Sequence, residues 1–144
     1  MPNERITNEV LEELLSSQSI EACDDQEIFQ TIDLASYANA LIKEKNLKKA
    51  AVITESALNQ TFGYQILAGQ RHASRDKVIQ LAFGLHATLQ EAQRLLKHAG
   101  ASELYVKNRR DAIIILAIEN ELTIYQTNDE LYRFGEKTIM DSNA

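Results

Sequence analysis

The sequence predicts an all-α protein, and three observations support this fold class. Proline occurs once, at Pro2, and the 144 residues include only five glycines. Apolar residues recur every three or four positions, which is the period of amphipathic helices rather than of strands. Polar N-cap residues and glycines separate the periodic segments, as they do at the ends of helices.

Composition predicts a soluble globular domain with an added arm. Apolar residues make up 44% and charged residues 25% of the chain, a balance typical of folded domains. The single Cys23 excludes an internal disulfide and provides no thiolate pair for zinc. The acidic N-terminus lacks the pattern of a signal peptide, and no segment approaches the roughly 20 apolar residues of a membrane span. We therefore expect a cytoplasmic protein without a membrane partner.

Residues 1–34 form an acidic arm in which a short helix is predicted to open near Thr7. Its apolar residues share one helical face: Val10, Leu11, Leu14 and Leu15. The following SSQSIEACDDQE reads as a turn or a flexible link. Three roles stay open for this arm: a packed extra helix, a docking peptide for a protein partner, or an acidic segment that competes with DNA.

Residues 35–100 predict five helices with short connections, as a compact bundle requires. The predicted ranges are 36–45, 48–56, 60–68, 75–85 and 89–98. Residues with capping or stop signals separate them: Asn46 ends the first helix, Asn59, Ser74 and Thr88 precede later ones, and Gly69 and Gly100 suit left-handed positions at helix ends.

The net charge of −6 conceals an uneven distribution. Residues 1–34 carry one basic and nine acidic side chains, residues 35–100 carry nine and four, and residues 101–144 carry five and eight. The middle segment is therefore net +5 between segments of −8 and −3. A basic middle favours a polyanionic partner, because charge acts over about 10 Å at 0.1 M salt. The alternative is an ordinary solvated basic face.

The stretch LKKAAVITESALNQTFGYQILAGQRHASRDKVIQLAFGL resembles the core of the lambda-repressor-like (XRE) helix-turn-helix DNA-binding domains. The resemblance rests on the frame Ile66, Gly69, Arg71 and Ser74, followed by a helix with inward apolar residues at Val78, Leu81, Ala82 and Leu85. It implies a five-helix bundle in which the first helix of the helix-turn-helix pair spans Lys48–Ser56 and the second helix begins at Asn59. It also implies a transcription regulator that binds double-stranded DNA specifically, commonly as a homodimer.

Four positions depart from the family pattern: Ile53 stands where a small residue is usual, Ala57 where glycine is, Gly63 where an aliphatic residue is, and Ala73 where proline is. A glycine inside a helix costs roughly 1 kcal/mol relative to alanine. We interpret Gly63 as compensation for the bulk of Ile53, which lets the two helices approach.

The predicted second helix of the pair carries side chains suited to the major groove. Gln60 and Thr61 follow the cap, and Gln65 lies one turn further on, so a glutamine–adenine pair and a threonine–thymine methyl contact are available. Tyr64 is included as a groove contact, with a half-buried surface ring as its alternative. Phosphate contacts are predicted for residues bordering this helix: Lys48, Lys49, Asn59, Gln70, Arg71, His72 and Arg75.

Residues 101–140 predict a further helical hairpin. Shifted by 35 residues, segment 74–100 overlies segment 109–135 with eight identities in 27 positions. The run AIIILAI could also be a buried strand by its length and β-branched residues. The hairpin could cover the first five helices or form the seam of a dimer.

An enzyme is not predicted, and neither a cofactor nor a metal is expected. His72, His86 and His98 lack metal-ligand spacing, and the chain has no glycine-rich phosphate loop or nucleophile motif. The alternative function is a helical protein-interaction module that keeps the helix-turn-helix shape without binding DNA. The sequence therefore predicts an all-α, five-helix lambda-repressor-like bundle, extended by an N-terminal acidic helix and a C-terminal helical hairpin.

Overall fold

The computed structural model describes residues 33–140, and within them the chain forms seven α-helices and no strand. The helices are α1 (Leu34–Glu44), α2 (Lys49–Glu55), α3 (Gln60–Leu67), α4 (Arg75–Gly84), α5 (Leu89–His98), α6 (Arg109–Glu119) and α7 (Ile124–Arg133). The all-α class is confirmed for this part of the chain. The apolar stripe of the predicted acidic arm and Cys23 lie outside the described residues.

The first five helices begin and end within two residues of their predicted bounds. The strand alternative for AIIILAI is wrong, because these residues lie inside α6. Polar capping explains the helical outcome: the Asn108 side chain accepts a hydrogen bond from the Asp111 amide at 3.0 Å and so opens the helix ahead of the apolar run.

The core forms where α1 packs on α3 and α5, α2 packs on α3 and α4, and α4 packs on α5. Each burial of a large apolar side chain contributes about 1.5–3 kcal/mol. The largest fully buried side chains of this part are Tyr37, Leu41, Ile53, Ile66, Ile79, Leu81, Leu85, Leu95 and Leu96.

Most of the predicted capping and stop residues lie at the observed ends of helices. The Asn59 side chain accepts from the Phe62 amide at 3.1 Å, and Gly69 and Gly100 adopt φ of +75° and +73°. Ser74 precedes α4 in extended conformation, but its side chain makes no capping hydrogen bond. The predicted caps are therefore used at α3, while α4 is held by other contacts.

Thr88 opens α5 with a capping box, in which its side chain and that of Glu91 each bond the other's backbone amide. Glu91 also accepts from the Lys45 ammonium at 2.7 Å, which ties α5 to the end of α1. Partial burial raises the pKa of Glu91, but hydrogen bonds from Lys45 and Thr88 outweigh it and hold the pKa below its usual range. The stability that Glu91 contributes is therefore lost as pH falls through this lowered pKa.

Hairpins α4–α5 and α6–α7 repeat one another in structure as well as in sequence. At the 35-residue offset, α5 and α7 begin and end at equivalent positions, and both open with a capping box. Equivalent residues also share left-handed backbone: His86 and Glu121 have φ of 53° and 56°, and Gly100 and Gly135 both have φ of +73°.

Two reciprocal ion pairs join the hairpins. Arg75 forms a bidentate pair with Asp111 at 3.1 and 2.8 Å, and Arg110 forms one with Asp76 at 3.1 and 3.2 Å. Each arginine also donates to two carbonyls that follow its own hairpin, at equivalent positions. Such an exchange of equivalent partners is the signature of a two-fold relation.

Helix contacts follow the same local two-fold relation, because α4 contacts α7 and α5 contacts α6. Ile114, Ile124 and Leu131 are fully buried. The second hairpin therefore covers the first within one chain, through an apolar centre and two outer ion pairs.

Candidate nucleic-acid interface

Helices α2 and α3 are joined by a short turn that has an unusual backbone. Ala57 in this turn adopts φ of +57°, a conformation that costs a non-glycine residue about 1–2 kcal/mol. This is the position where glycine was expected from the family pattern. Backbone hydrogen bonds from the Ala57 amide to the Thr54 carbonyl and from the Leu58 amide to the Ile53 carbonyl close the turn. Contacts from elsewhere in the fold add to them.

A buried glutamine of α4 supplies those contacts. Gln80 is 1% exposed, and its side-chain amide donates to the Ser56 carbonyl at 3.0 Å and the Ala57 carbonyl at 3.3 Å. These carbonyls lie at the end of α2, where backbone acceptors lack partners within their own helix. Gln80 therefore fixes the turn that leads into α3.

Close approach of α4 to α2 completes this support. A side chain at Gly84 would overlap the Ser56 hydroxyl and the Val52 carbonyl, so only glycine allows the observed contact. Ser56 is fully buried, and its hydroxyl donates to the Val52 carbonyl at 2.6 Å. Gln80, Ser56 and Gly84 were not predicted from the sequence, since Gln80 lies nearly opposite the inward residues expected for α4; its apolar neighbours Ile79 and Phe83 were the available signal.

Gly63 brings α3 close to α2. A Cβ atom at this position would lie 2.7 Å from Cγ2 and 2.9 Å from Cγ1 of Ile53, and Ile53 is itself 2% exposed. The geometry therefore agrees with the interpretation that Gly63 on α3 compensates for the bulk of Ile53 on α2.

The C-terminal end of α3 is anchored to α1. The Asn39 side-chain amide donates to the Leu67 carbonyl and to the Ala35 carbonyl, both at 2.8 Å. Ile66 and Leu67 are buried. Helix α3 packs on α1 and α2, and Gln80 binds the turn that precedes it. Helix α3 is therefore fixed along one side and at both ends.

The opposite side of α3 faces solvent. Gln60 and Thr61 are exposed, Tyr64 is 41% exposed and Gln65 is half-buried. Within residues 33–140 these four side chains make no hydrogen bond to other groups of the protein. Their donors and acceptors are therefore available to an external partner.

Exposed polar and basic residues lie on the chain segments before and after α3. Lys48 and Lys49 lie at the start of α2, and Gln70, Arg71 and His72 follow α3. Asn59 is exposed beside them while its side-chain oxygen caps α3. The Arg71 guanidinium lies 5.5 Å from the centre of the Phe62 ring, which supports its position at the end of the face.

Segment 48–72 has a positive surface. Its only carboxylate belongs to Glu55, which lies 2.9 Å from the His86 ring nitrogen. Lys48, Lys49 and Arg71 form no ion pair with other residues of 33–140. Segment 48–72 therefore carries three cations that no carboxylate of residues 33–140 neutralises.

Arg75 differs from the other residues expected to contact phosphate. Its guanidinium binds both oxygens of Asp111 and the carbonyls of Ser102 and Glu103. We assign it a structural role and leave it out of the interface. The repeated Arg-Asp dipeptide at 75–76 and 110–111 was the sequence signal for this role.

Other kinds of site are not found in the described part of the chain. No three histidine, aspartate or glutamate side chains within 33–140 are placed to hold a metal ion. A cleft of about 520 Å³ lies between the α4–α5 and α6–α7 turns, and its lining includes no residue of α2 or α3. Among the seven helices, none has the length and apolar character that crossing a bilayer requires.

Comparison of the chain with protein-family models, with curated proteins and with solved structures gives no match. The candidate interface therefore rests on the geometry of α2, α3 and their supports.

We predict that Gly63→Ala lowers the free energy of unfolding by about 1–3 kcal/mol, because the added methyl overpacks against Ile53. Ile53→Ala alone should also destabilise, by about 2–5 kcal/mol, since it leaves a cavity. The double variant should lose less than the sum of the two, because the new methyl enters that cavity. Urea unfolding measures all three, with exposed Thr61→Ala as control, and simple additivity would contradict the proposed packing.

Proposed function

We propose that the chain is a lambda-repressor-like, XRE-type transcription regulator that binds double-stranded DNA through a helix-turn-helix formed by α2 and α3. The observation that carries this proposal is the outer face of α3, whose polar side chains make no hydrogen bond to other groups of residues 33–140. On the segments before and after it, Lys48, Lys49 and Arg71 form no ion pair with residues of the same range. Helix α3 would enter the major groove, which is about 12 Å wide.

Base reading is assigned to the exposed end of α3. Gln60 and Thr61 occupy its first turn, which is the part of a recognition helix that commonly reaches base edges. Gln65 lies one turn further along. An amide pairs with adenine through two hydrogen bonds, and a threonine methyl packs on the thymine methyl. Tyr64 is placed between these residues, at the groove wall.

Phosphate binding is assigned to the residues around α3. Lys48 and Lys49 approach the backbone on one side, and Gln70, Arg71 and His72 on the other, with Asn59 at the helix start. Such contacts orient the protein on the duplex without reading sequence. The positive balance of segment 48–72, in a chain of net charge −6, supports this face as the one that meets DNA.

The wider setting follows from the same proposal. A cytoplasmic regulator that binds as a homodimer would place two α3 helices on half-sites about one DNA turn apart. For the acidic arm of residues 1–34 the three predicted roles stay open: a packed extra helix, a docking peptide for a protein partner, or a competitor of DNA.

A protein-interaction module is the second candidate. The observation that favours it is a set of exposed large apolar side chains in the C-terminal part: Tyr105, Val106, Leu116, Tyr125, Tyr132 and Phe134. Exposed apolar groups of this kind often mark contact surfaces. The absence of DNA binding, together with a stable complex through these residues, would favour this second candidate.

The first test of the proposal is the salt dependence of binding to duplex DNA. Affinity should fall steeply with salt, with a log–log slope of about −0.9 for each phosphate neutralised. Replacing Lys48, Lys49 and Arg71 with glutamine should flatten that slope by up to about 2.7. A matched triple replacement of exposed Lys107, Arg133 and Lys137 should leave it unchanged. Equal slopes for both variants would exclude the assigned surface.

The second test separates base reading from general affinity. Single alanine variants of Gln60, Thr61 and Gln65 should each lose about 1–3 kcal/mol on a duplex selected from random sequence. They should lose far less on unselected DNA, because phosphate contacts remain. Exposed Gln90→Ala on α5 is the matched control. If the losses are the same on both kinds of DNA, these side chains do not read bases.

A further inference from the structure

Helix α6 presents an apolar stripe outward. Leu116 is 61% exposed, and Ala112 and Ile113 are half-buried. Ala112 and Ile113 lie four and three positions before Leu116 and so share its face of the helix. Asp111, Ile114 and Ala117 are buried on the other side of the helix, where α6 meets the rest of its own chain.

The structural repeat identifies what this face does in the first hairpin. At the 35-residue offset, Ile113 and Leu116 correspond to Val78 and Leu81, which are 0% and 1% exposed. Those two residues lie on α4, which packs against α2. Helix α6 keeps the apolar residues, but within 33–140 it has no equivalent of α2 beside it. The apolar stripe of α6 therefore lacks, within residues 33–140, a helix in the place that α2 takes beside α4.

A second copy of α2 does not fit this stripe. In α4, Gly84 allows the backbone of α2 to approach closely. Its counterpart in α6 is Glu119, and the counterpart of buried Leu85 is exposed Asn120. A bulky charged side chain thus stands where the first hairpin needs glycine, so the occupant must differ from α2 in shape and must accept a carboxylate.

Charges at the two ends of the stripe are complementary to each other. Arg109 at the start of α6 is 65% exposed, and its nearest carboxylate, that of Glu136, is 4.0 Å away. Glu119 at the end of α6 is exposed and forms no ion pair with other residues of 33–140. The helix dipole favours the opposite placement of these two charges. An antiparallel partner helix with the same residues would pair each charge.

We propose that this α6 face, formed by Arg109, Ala112, Ile113, Leu116 and Glu119, binds the same face of a second copy of the chain. The two α6 helices would cross antiparallel about a two-fold axis, with the Leu116 side chains at the centre. Arg109 of each copy would then meet the partner's Glu119. This interface is isologous, because one surface serves both copies.

The ion pairs between the hairpins remain intact in this dimer. Arg110 and Asp111 lie on the side of α6 that contacts its own chain, away from the outward stripe. Dimerisation through α6 thus leaves these ion pairs in place, while Arg109, which lies 5.7 Å from the centre of the Phe134 ring, would turn toward the partner. The proposal does not depend on DNA binding, and its test is made without DNA.

The test measures the mass of the full chain by sedimentation over a range of concentrations. Wild type should be a dimer, and Leu116→Glu should weaken the dimer by about tenfold or more, because two buried carboxylates would meet at the axis. Tyr132→Glu is the matched control: Tyr132 is 80% exposed, and its repeat counterpart, Lys97, is exposed on α5. The control should remain a dimer, and circular dichroism should show both variants folded.

A charge exchange gives an independent readout that does not rely on Leu116. Arg109→Glu and Glu119→Arg should each weaken the dimer, because like charges then face one another, and the double variant should restore it. A wild type that is monomeric at every concentration would overturn the proposal. So would a dimer that Leu116→Glu leaves intact, a double variant without recovery, or binding of this face to another protein without self-association.

Discussion

The burial of α4 is the constraint on which the rest of the described structure depends. Its residues from Val78 to Gly84 are all buried, and the helix packs against α2, α5 and α7. One side of α4 holds the turn before α3 through Gln80, while its first turn holds the second hairpin through Arg75 and Asp76. The direction of α3 and the position of the C-terminal hairpin are therefore set by the same helix.

Apolar burial and ion pairing make different contributions to the contact between the two hairpins. Burial of Ile114, Ile124 and Leu131 supplies an attraction that does not specify direction. The bidentate pairs of Arg75 with Asp111 and of Arg110 with Asp76 are directional, and their side chains are between 7% and 26% exposed. Such partly buried pairs contribute less to net stability than their geometry suggests. We expect their main effect to be the selection of one register between two similar hairpins.

Local signals made much of this fold predictable, and non-local contacts account for the rest. Helical periodicity and caps predicted the bounds of α1 to α5 to within two residues. The close packing of Ile53 on Gly63 could be predicted because both residues depart from one family pattern. Gln80 was missed because a polar residue in an amphipathic helix normally faces water. Arg75 was assigned to phosphate because its carboxylate partner, Asp111, is 36 residues away. The signal for the pair, the repeated Arg-Asp dipeptide, is visible only when the two hairpins are compared. The exposed face of α3 and the close approach of Gly63 to Ile53 were predictable from local residues, whereas the hydrogen bonds of Gln80 and Asn39 that hold α3 were not.

The central claim is that α3 and its cationic border form the surface that meets DNA. Amide chemical shifts of the full chain, recorded during titration with a duplex selected from random sequence, test this claim most directly. We expect the shifted residues to cluster at Lys48 and Lys49, along Gln60 to Gln65 and at Gln70 to His72, with little change along the outward face of α6. Shifts centred on α6 and α7, or no shifts at saturating duplex, would contradict it.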